Sequence, residues 1–307
     1  MTLAPHDHNP RKGFLLALAS TVLISTNFVT AKYALREFNV ETFSTVWTAA
    51  AAFYSLLIVL VMGAGRELRL PGRASCVRLS GVGACSAANM LLSWAGLSLL
   101  DPSFNAFIRR GQPLFVVFLG VVFLRERLRR IEFAPMAVML VGGIYSIVGR
   151  WEIAGLGIVL TILGDLFNSF ERVMVKVEVR RVRPAVVAFY RLAIGSTLIA
   201  VWTFSTGRAN FNVPLRYWAV LLVGALLGPC LSHVLVFQAY RHWTLSRCTM
   251  LLMIQPLLVL PMAWLFLGQL PSGRELIGGG ILFAGAIWLS WIHFTGPGAP
   301  EAPPEED

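Results

Sequence analysis

Ten long apolar stretches, separated by short polar ones, leave this chain few ways to fold. They are Gly13–Leu35, Phe43–Gly63, Val77–Leu99, Phe104–Leu124, Phe133–Val148, Ile153–Val177, Val186–Ser205, Tyr217–Tyr240, Leu245–Leu267 and Leu276–Phe294. A helix needs about 20 mostly apolar residues to cross a bilayer. Lipid offers backbone N–H and C=O groups no partner, so only helices and closed barrels span it. The runs lack the two-residue alternation of barrel strands. The expectation is an all-α membrane protein of ten transmembrane helices, with no room for a domain outside the bilayer. The residue content agrees, at 56% hydrophobic and 14% charged, against about 25% charged in soluble domains. That excludes a soluble globular enzyme, a disordered chain and a nucleic-acid-binding domain in water.

The net charge of +10 would suggest nucleic acid in a soluble protein; in a membrane protein Lys and Arg collect in cytoplasmic loops. Sixteen of them fall at the N-terminus and in the loops after runs two, four, six and eight; the opposite side carries six. This bias predicts an inner-membrane protein with both termini in the cytoplasm. Residues 1–12 form a polar N-terminal segment whose Arg11 and Lys12 precede an uncleaved first helix. Residues 295–307 read as a disordered acidic tail. Cys76, Cys85, Cys230 and Cys248 are scattered, without metal-ligand spacing, and read as packing residues. No metal, cofactor or catalytic residue is expected.

The chain also repeats itself. Gln112-Pro113-Leu114 returns as Gln255-Pro256-Leu257, and at the same offset Val116 matches Val259, Glu132 matches Glu275 and Gly142 matches Gly285. One residue further along, Ser25 matches Ser169, Val29 matches Val173 and Lys32 matches Lys176. Helices one to five (13–148) thus return as helices six to ten (153–294). Five is odd, so the halves enter the membrane from opposite sides. Such inverted repeats are typical of secondary transporters, with a site near the midplane where the halves meet.

The repeated residues carry a resemblance. RGQPLFVVFLGVVFLRE (110–126) and QPLLVLPMAWLFLGQ (255–269) resemble the fourth-helix motif of the EamA family of drug/metabolite transporters, and Asn27-Phe28 fits near the end of the first helix. The resemblance runs from about Gly13 to Ile292. It implies two five-helix units and export or exchange of small metabolites by alternating access. The chain departs from the pattern at Gln269, where a Glu is usual, and at Trp47, where an Arg is usual, although the second-half counterpart Arg191 is kept.

Ionisable residues inside spans are costly and therefore informative. Arg109 and Arg110 point about 100° apart on a helix and have two open uses: contact with an anionic substrate, or pairing with a carboxylate and capping of carbonyls. In the sixth run, Asp165, Asn168 and Arg172 share one face. Asp165 and Glu171 are candidates for a coupling site, or for an internal ion pair of Glu171 with Arg172 or Arg191. Pro113, Pro256 and Pro229 are candidate hinges, since each removes a backbone hydrogen bond. Gln112, Gln255, Asn168, Arg191, His233, Asn27, Asn89 and Trp94 complete the candidate substrate contacts. Gly224-x-x-x-Gly228 and Gly280-x-x-x-Ala284 permit close helix packing, within the chain or in a homodimer.

The leading function is secondary transport of a small organic solute, with the bilayer as the other partner. A sugar-phosphate or nucleotide-sugar type of anion exchanger stands second. A membrane-embedded enzyme lacks its motifs: no HExxH, no GxSxG and no Asp-rich diphosphate site is present. Nothing resembles the selectivity filter of a channel, and a non-transporting sensor is the remaining alternative.

Overall fold

A computed structural model describes residues 10–63, 65–68, 72–112, 114–115, 119, 130–147, 151–178, 182–242, 251–252 and 254–295. Apolar runs too long for a turn, with few helix breakers, fold as helices, and no strand is present among the described residues. The first three are α1 (Pro10–Ala34), α2 (Val40–Val61) and α3 (Arg73–Leu99). Asn39 caps α2 by accepting from the Thr42 N–H at 3.0 Å, the expected use of Asn at a helix start. All three begin a few residues before the apolar runs, because hydropathy marks the bilayer and not the helix end.

Next comes α4 (Pro102–Ile108), which tightens into a 3-10 turn over Arg109–Gly111. Most of the fourth run beyond Gln112, Pro113 included, lies outside the described residues. α5 (Phe133–Ile147), α6 (Trp151–Glu178) and α7 (Pro184–Ser205) follow. The eighth run is not one uniform helix: α8 (Leu215–Ala225) widens into a π segment at Leu226–Ser232 around Pro229 and returns to α-helix as α9 (His233–His242). Pro229 lies inside that segment, where its missing N–H opens the ladder. α10 (Gln255–Leu267) and α11 (Gly273–Thr295) close the chain.

Pro256 lies in the first turn of α10, where a missing N–H removes no helical bond. It therefore does not break the helix as expected of a hinge within the span. Pro261, unmarked by the sequence reading, is the proline inside α10.

Among the described residues, five helices are long and apolar enough to cross a membrane: Arg11–Ala34, Val40–Val61, Arg73–Leu99, Ala185–Ser205 and Leu215–Val236. Phe133–Tyr145, Gln255–Leu267 and Leu276–Leu289 are shorter apolar helices. Large apolar side chains also cover the outside, among them Leu156 on α6, Val201 and Trp202 on α7, Trp264 to Phe266 on α10 and Trp291 on α11. Patches this extensive are rare on soluble monomers and suit a lipid surround.

Helix pairs pack through small residues. α6 lies antiparallel on α3, with Gly96 against Thr161 and Gly164 against Ser93. α1 runs antiparallel to α8 and the π segment, where Gly224 abuts Trp47 and Thr30, and Gly228 abuts the Asn27 amide. The Gly224–Gly228 motif thus packs within the chain, whereas Gly280 has open space beside it. α5 crosses α11 antiparallel: Gly142 meets Gly278 and Leu282, and Gly285 meets Pro135 and Met139. α2 pairs with α7 through Thr45 and Thr203, whose hydroxyls are 2.9 Å apart. The main core gathers between α1, α2, α3, α7 and α8 around Phe43, Trp47, Trp94 and Leu221.

Candidate functional site

The polar interior begins where α4 tightens. Asn105, one turn before Arg109, donates to Thr161 Oγ1 on α6 at 2.8 Å. Arg109 Nε then pairs with Asp165 Oδ1 at 3.1 Å, and its guanidinium lies 5.9 Å from the Phe28 ring centroid. Asp165 is 1% exposed, so this bond supplies the counter-charge that a buried carboxylate needs.

Arg110 turns the other way. Its Nη2 donates to Gln255 Oε1 at 2.8 Å, its Nη1 to the Leu252 carbonyl at 3.1 Å and its Nε to the Ala106 carbonyl at 3.3 Å. Leu252 is four residues before Pro256. Leu252 precedes α10, and Pro256 has no N–H to give, so that carbonyl receives no donor from residue 256. Arg110 fills the vacancy from a different helix. Gln255 in turn donates from Nε2 to the Ile24 carbonyl of α1 at 3.4 Å.

A second buried ion pair joins α6 to α7. Arg191 Nη1 and Glu171 Oε1 are 2.9 Å apart, so of the two partners open to Glu171 the fold selects Arg191. Arg191 Nε and Glu171 Oε2 have no partner among the described residues. Arg172, adjacent to Glu171, is exposed and acts electrostatically on Arg110, Asp165 and His233. His233 opens α9, with Nδ1 3.3 Å from Ser232 Oγ. Asn168 is half-buried on the Asp165 face.

An aromatic group lies in the main core between α2 and α3. Trp47 and Trp94 rings are 5.4 Å apart, and Phe43 lies 5.0 and 5.4 Å from them. Both indole N–H groups and Asn27 Oδ1 are buried without a partner among the described residues. Buried polar atoms are normally satisfied, so such orphans mark places where a guest can supply the missing bond. Gln112 Nε2 is another. Asn89 already accepts from Ser93 Oγ at 2.9 Å.

The fold therefore joins Arg109 to Asp165, Arg110 to Gln255 and Arg191 to Glu171, with Arg172 and His233 in electrostatic range. Asn89 and Trp94 stand on α3, outside these three bonds. Trp47, Asn105 and the Leu252 carbonyl also belong to this interior, beyond the candidates the sequence marks. Asn105 was findable, one turn ahead of Arg109; the carbonyl was not, because only packing decides which donor reaches it. Among the described residues, no group of three or more His, Cys, Asp or Glu suits a metal ion.

Apolar outer faces around inward-turned ion pairs define a multi-pass membrane protein with a polar interior. The chain belongs to the EamA-like transporter family, whose sequence model matches residues 11–149 and again 155–291. It is similar to the pseudopaline exporter CntI of Pseudomonas aeruginosa, at 25% identity over 91% of this chain and 96% of that one. It is also similar to the uncharacterized transporter PA0485 of the same species, at 28% identity over 87% and 89% of the two chains. A solved crystal structure shares the fold, with a TM-score of 0.65, 18% identity and coverage of 92% of this chain and 97% of the other.

Proposed function

We propose that this protein is a secondary transporter that exports or exchanges a small organic solute across the inner membrane by alternating access. In this reading ten transmembrane helices form two inverted five-helix repeats, 13–148 and 153–294, and both termini are cytoplasmic. The carrying observation is the reciprocity of the α5–α11 crossing. Gly142 and Gly285 are repeat mates, and so are Pro135 and Gly278, and Met139 and Leu282, all at one offset. Gly142 touches Gly278 and Leu282, while Gly285 touches Pro135 and Met139. Each contact is the other carried over by the repeat, and the paired helices run antiparallel, as a two-fold axis in the membrane plane requires.

A second mated pair supports it: Gly81 meets Met174 as Gly224 meets Thr30. The two family matches divide the chain at the same place, and one relative is named an exporter. The ionic residues lie on the helices that the two halves contribute, where an inverted-repeat carrier holds its solute.

Counterflow in proteoliposomes tests the reading. Vesicles loaded with malate, glucose 6-phosphate, glucose or spermidine are diluted into a trace of the labelled compound. A carrier accumulates label transiently and saturates. Flux that rises linearly without counter-exchange, or none with any of the four, counts against a carrier.

A further inference from the structure

Arg109 and Arg110 are the cations that the sequence brings forward for an anion, and both are engaged, one by Asp165 and the other by Gln255 and two carbonyls. Arg191 is engaged by Glu171. Arg172 has no hydrogen bond or ion pair to any described residue, yet it is exposed on a helix long enough to span a bilayer. Facing lipid would explain exposure, but the helix phase opposes that. The exposed apolar stripe of α6 is Leu156, Val159, Leu163 and Phe167. At ~100° per residue, Arg172 points about half a turn away from it. It shares the face of Asp165, seven residues earlier, which is buried against α4. Its electrostatic partners Arg110, Asp165 and His233 lie in the turn after α4, on α6 and on α9. Its exposed surface therefore lies on the Asp165 side of α6, turned away from the apolar stripe that suits lipid.

The charge balance points the same way. Among the described residues around that interior, Arg109, Arg110, Arg172 and Arg191 stand against two carboxylates, Asp165 and Glu171. Positive charge enclosed without a counter-charge is unfavourable and is relieved by an anion. Three buried donors also lack an acceptor among the described residues: Arg191 Nε, Trp47 Nε1 and Trp94 Nε1.

We infer that Arg172 is the anchor for an oxyanion, a carboxylate or phosphate, on the transported solute. A guanidinium presents two parallel N–H groups to either, which a lysine cannot. This rests on the transport reading above and adds the substrate class and the residue that selects it. Asn27 Oδ1 and Glu171 Oε2 are buried acceptors without a donor among the described residues, so hydroxyl or amino groups elsewhere on the solute suit the same interior.

The test is the unfolding temperature of the full chain in detergent, with malate, glucose 6-phosphate, glucose and spermidine titrated to millimolar levels. A ligand of the folded state raises it by mass action. The expected result is stabilisation by malate or glucose 6-phosphate, weakened about tenfold or more in Arg172→Gln, and only in part restored in Arg172→Lys. Malate alone selects a carboxylate, glucose 6-phosphate alone a phosphate. The proposal is overturned if neither anion stabilises the wild type, or if Arg172→Gln binds them as well as the wild type does. Should Arg172→Gln itself unfold, Arg172→Lys decides: unchanged anion affinity overturns the proposal and weakened affinity upholds it. Counterflow separates the two readings. Glucose exchange untouched by Arg172→Gln sinks the anchor and keeps the carrier. Anion binding lost in Arg172→Gln, with no counterflow of any solute, sinks the carrier and keeps the anchor.

Discussion

Arg109 and Arg110 are adjacent and chemically identical, yet one neutralises a carboxylate on α6 while the other satisfies a carbonyl beside Pro256. Their difference is direction, set by about 100° of helix rotation. Glu171 and Arg191, both almost fully buried, show what such pairing is worth. Removing one partner leaves a bare charge inside, at about 3–5 kcal/mol, whereas replacing both by apolar residues is often neutral. Glu171→Leu is therefore expected to lower the unfolding temperature sharply, and Glu171→Leu with Arg191→Met to recover most of it. Equal losses in the single and double variants would mean the pair carries no mutual stabilisation. The exposed pair Arg208–Glu41, with Arg208 64% exposed, is expected to contribute about 1 kcal/mol or less, read in the same melt by Arg208→Ala.

Among the elements, the π segment at Leu226–Ser232 is where sequence and neighbour decide shape together. Pro229 opens the hydrogen-bond ladder, and Gly228 lets α1 approach until Asn27 fills the place a Cβ would occupy. Ser20 on α1 adds a bond to the Ser232 carbonyl at 2.8 Å. Gly228→Ala should cost about 1–3 kcal/mol by overpacking. Asn27→Ala in the same chain should return most of it, because the clash is with that side chain. A Gly228→Ala protein that melts like the wild type would mean the contact is loose. The sequence already held the Gly-Pro pair, and hence the irregularity. That the widened turn seats Asn27 was hidden, since the two residues are about 200 positions apart and only folding joins them.

For the whole molecule, orientation is the open prediction. Both termini in the cytoplasm place the start of α3 there too. Cys76 is exposed at that point and Cys230 is buried. In a chain whose other cysteines are alanine, an impermeant maleimide should label Cys76 in inside-out vesicles and not in intact cells. The reverse pattern would invert the topology. The sequence by itself determined the class of fold, because a bilayer imposes one requirement, about 20 apolar residues in a self-satisfied helix, and that requirement is local. It held the repeat for the same reason, since matching residues need no knowledge of contacts. It also named most of the interior's charged groups, because a charge among apolar neighbours is conspicuous in one dimension. What the tertiary structure alone decided was who meets whom: Glu171 with Arg191 and not Arg172, Arg110 with the Leu252 carbonyl, Trp47 with Trp94. Partners are chosen by helix phase and crossing height, which belong to pairs of distant helices. They leave Arg172, one residue from the ion-paired Glu171, with no hydrogen bond or ion pair to any described residue.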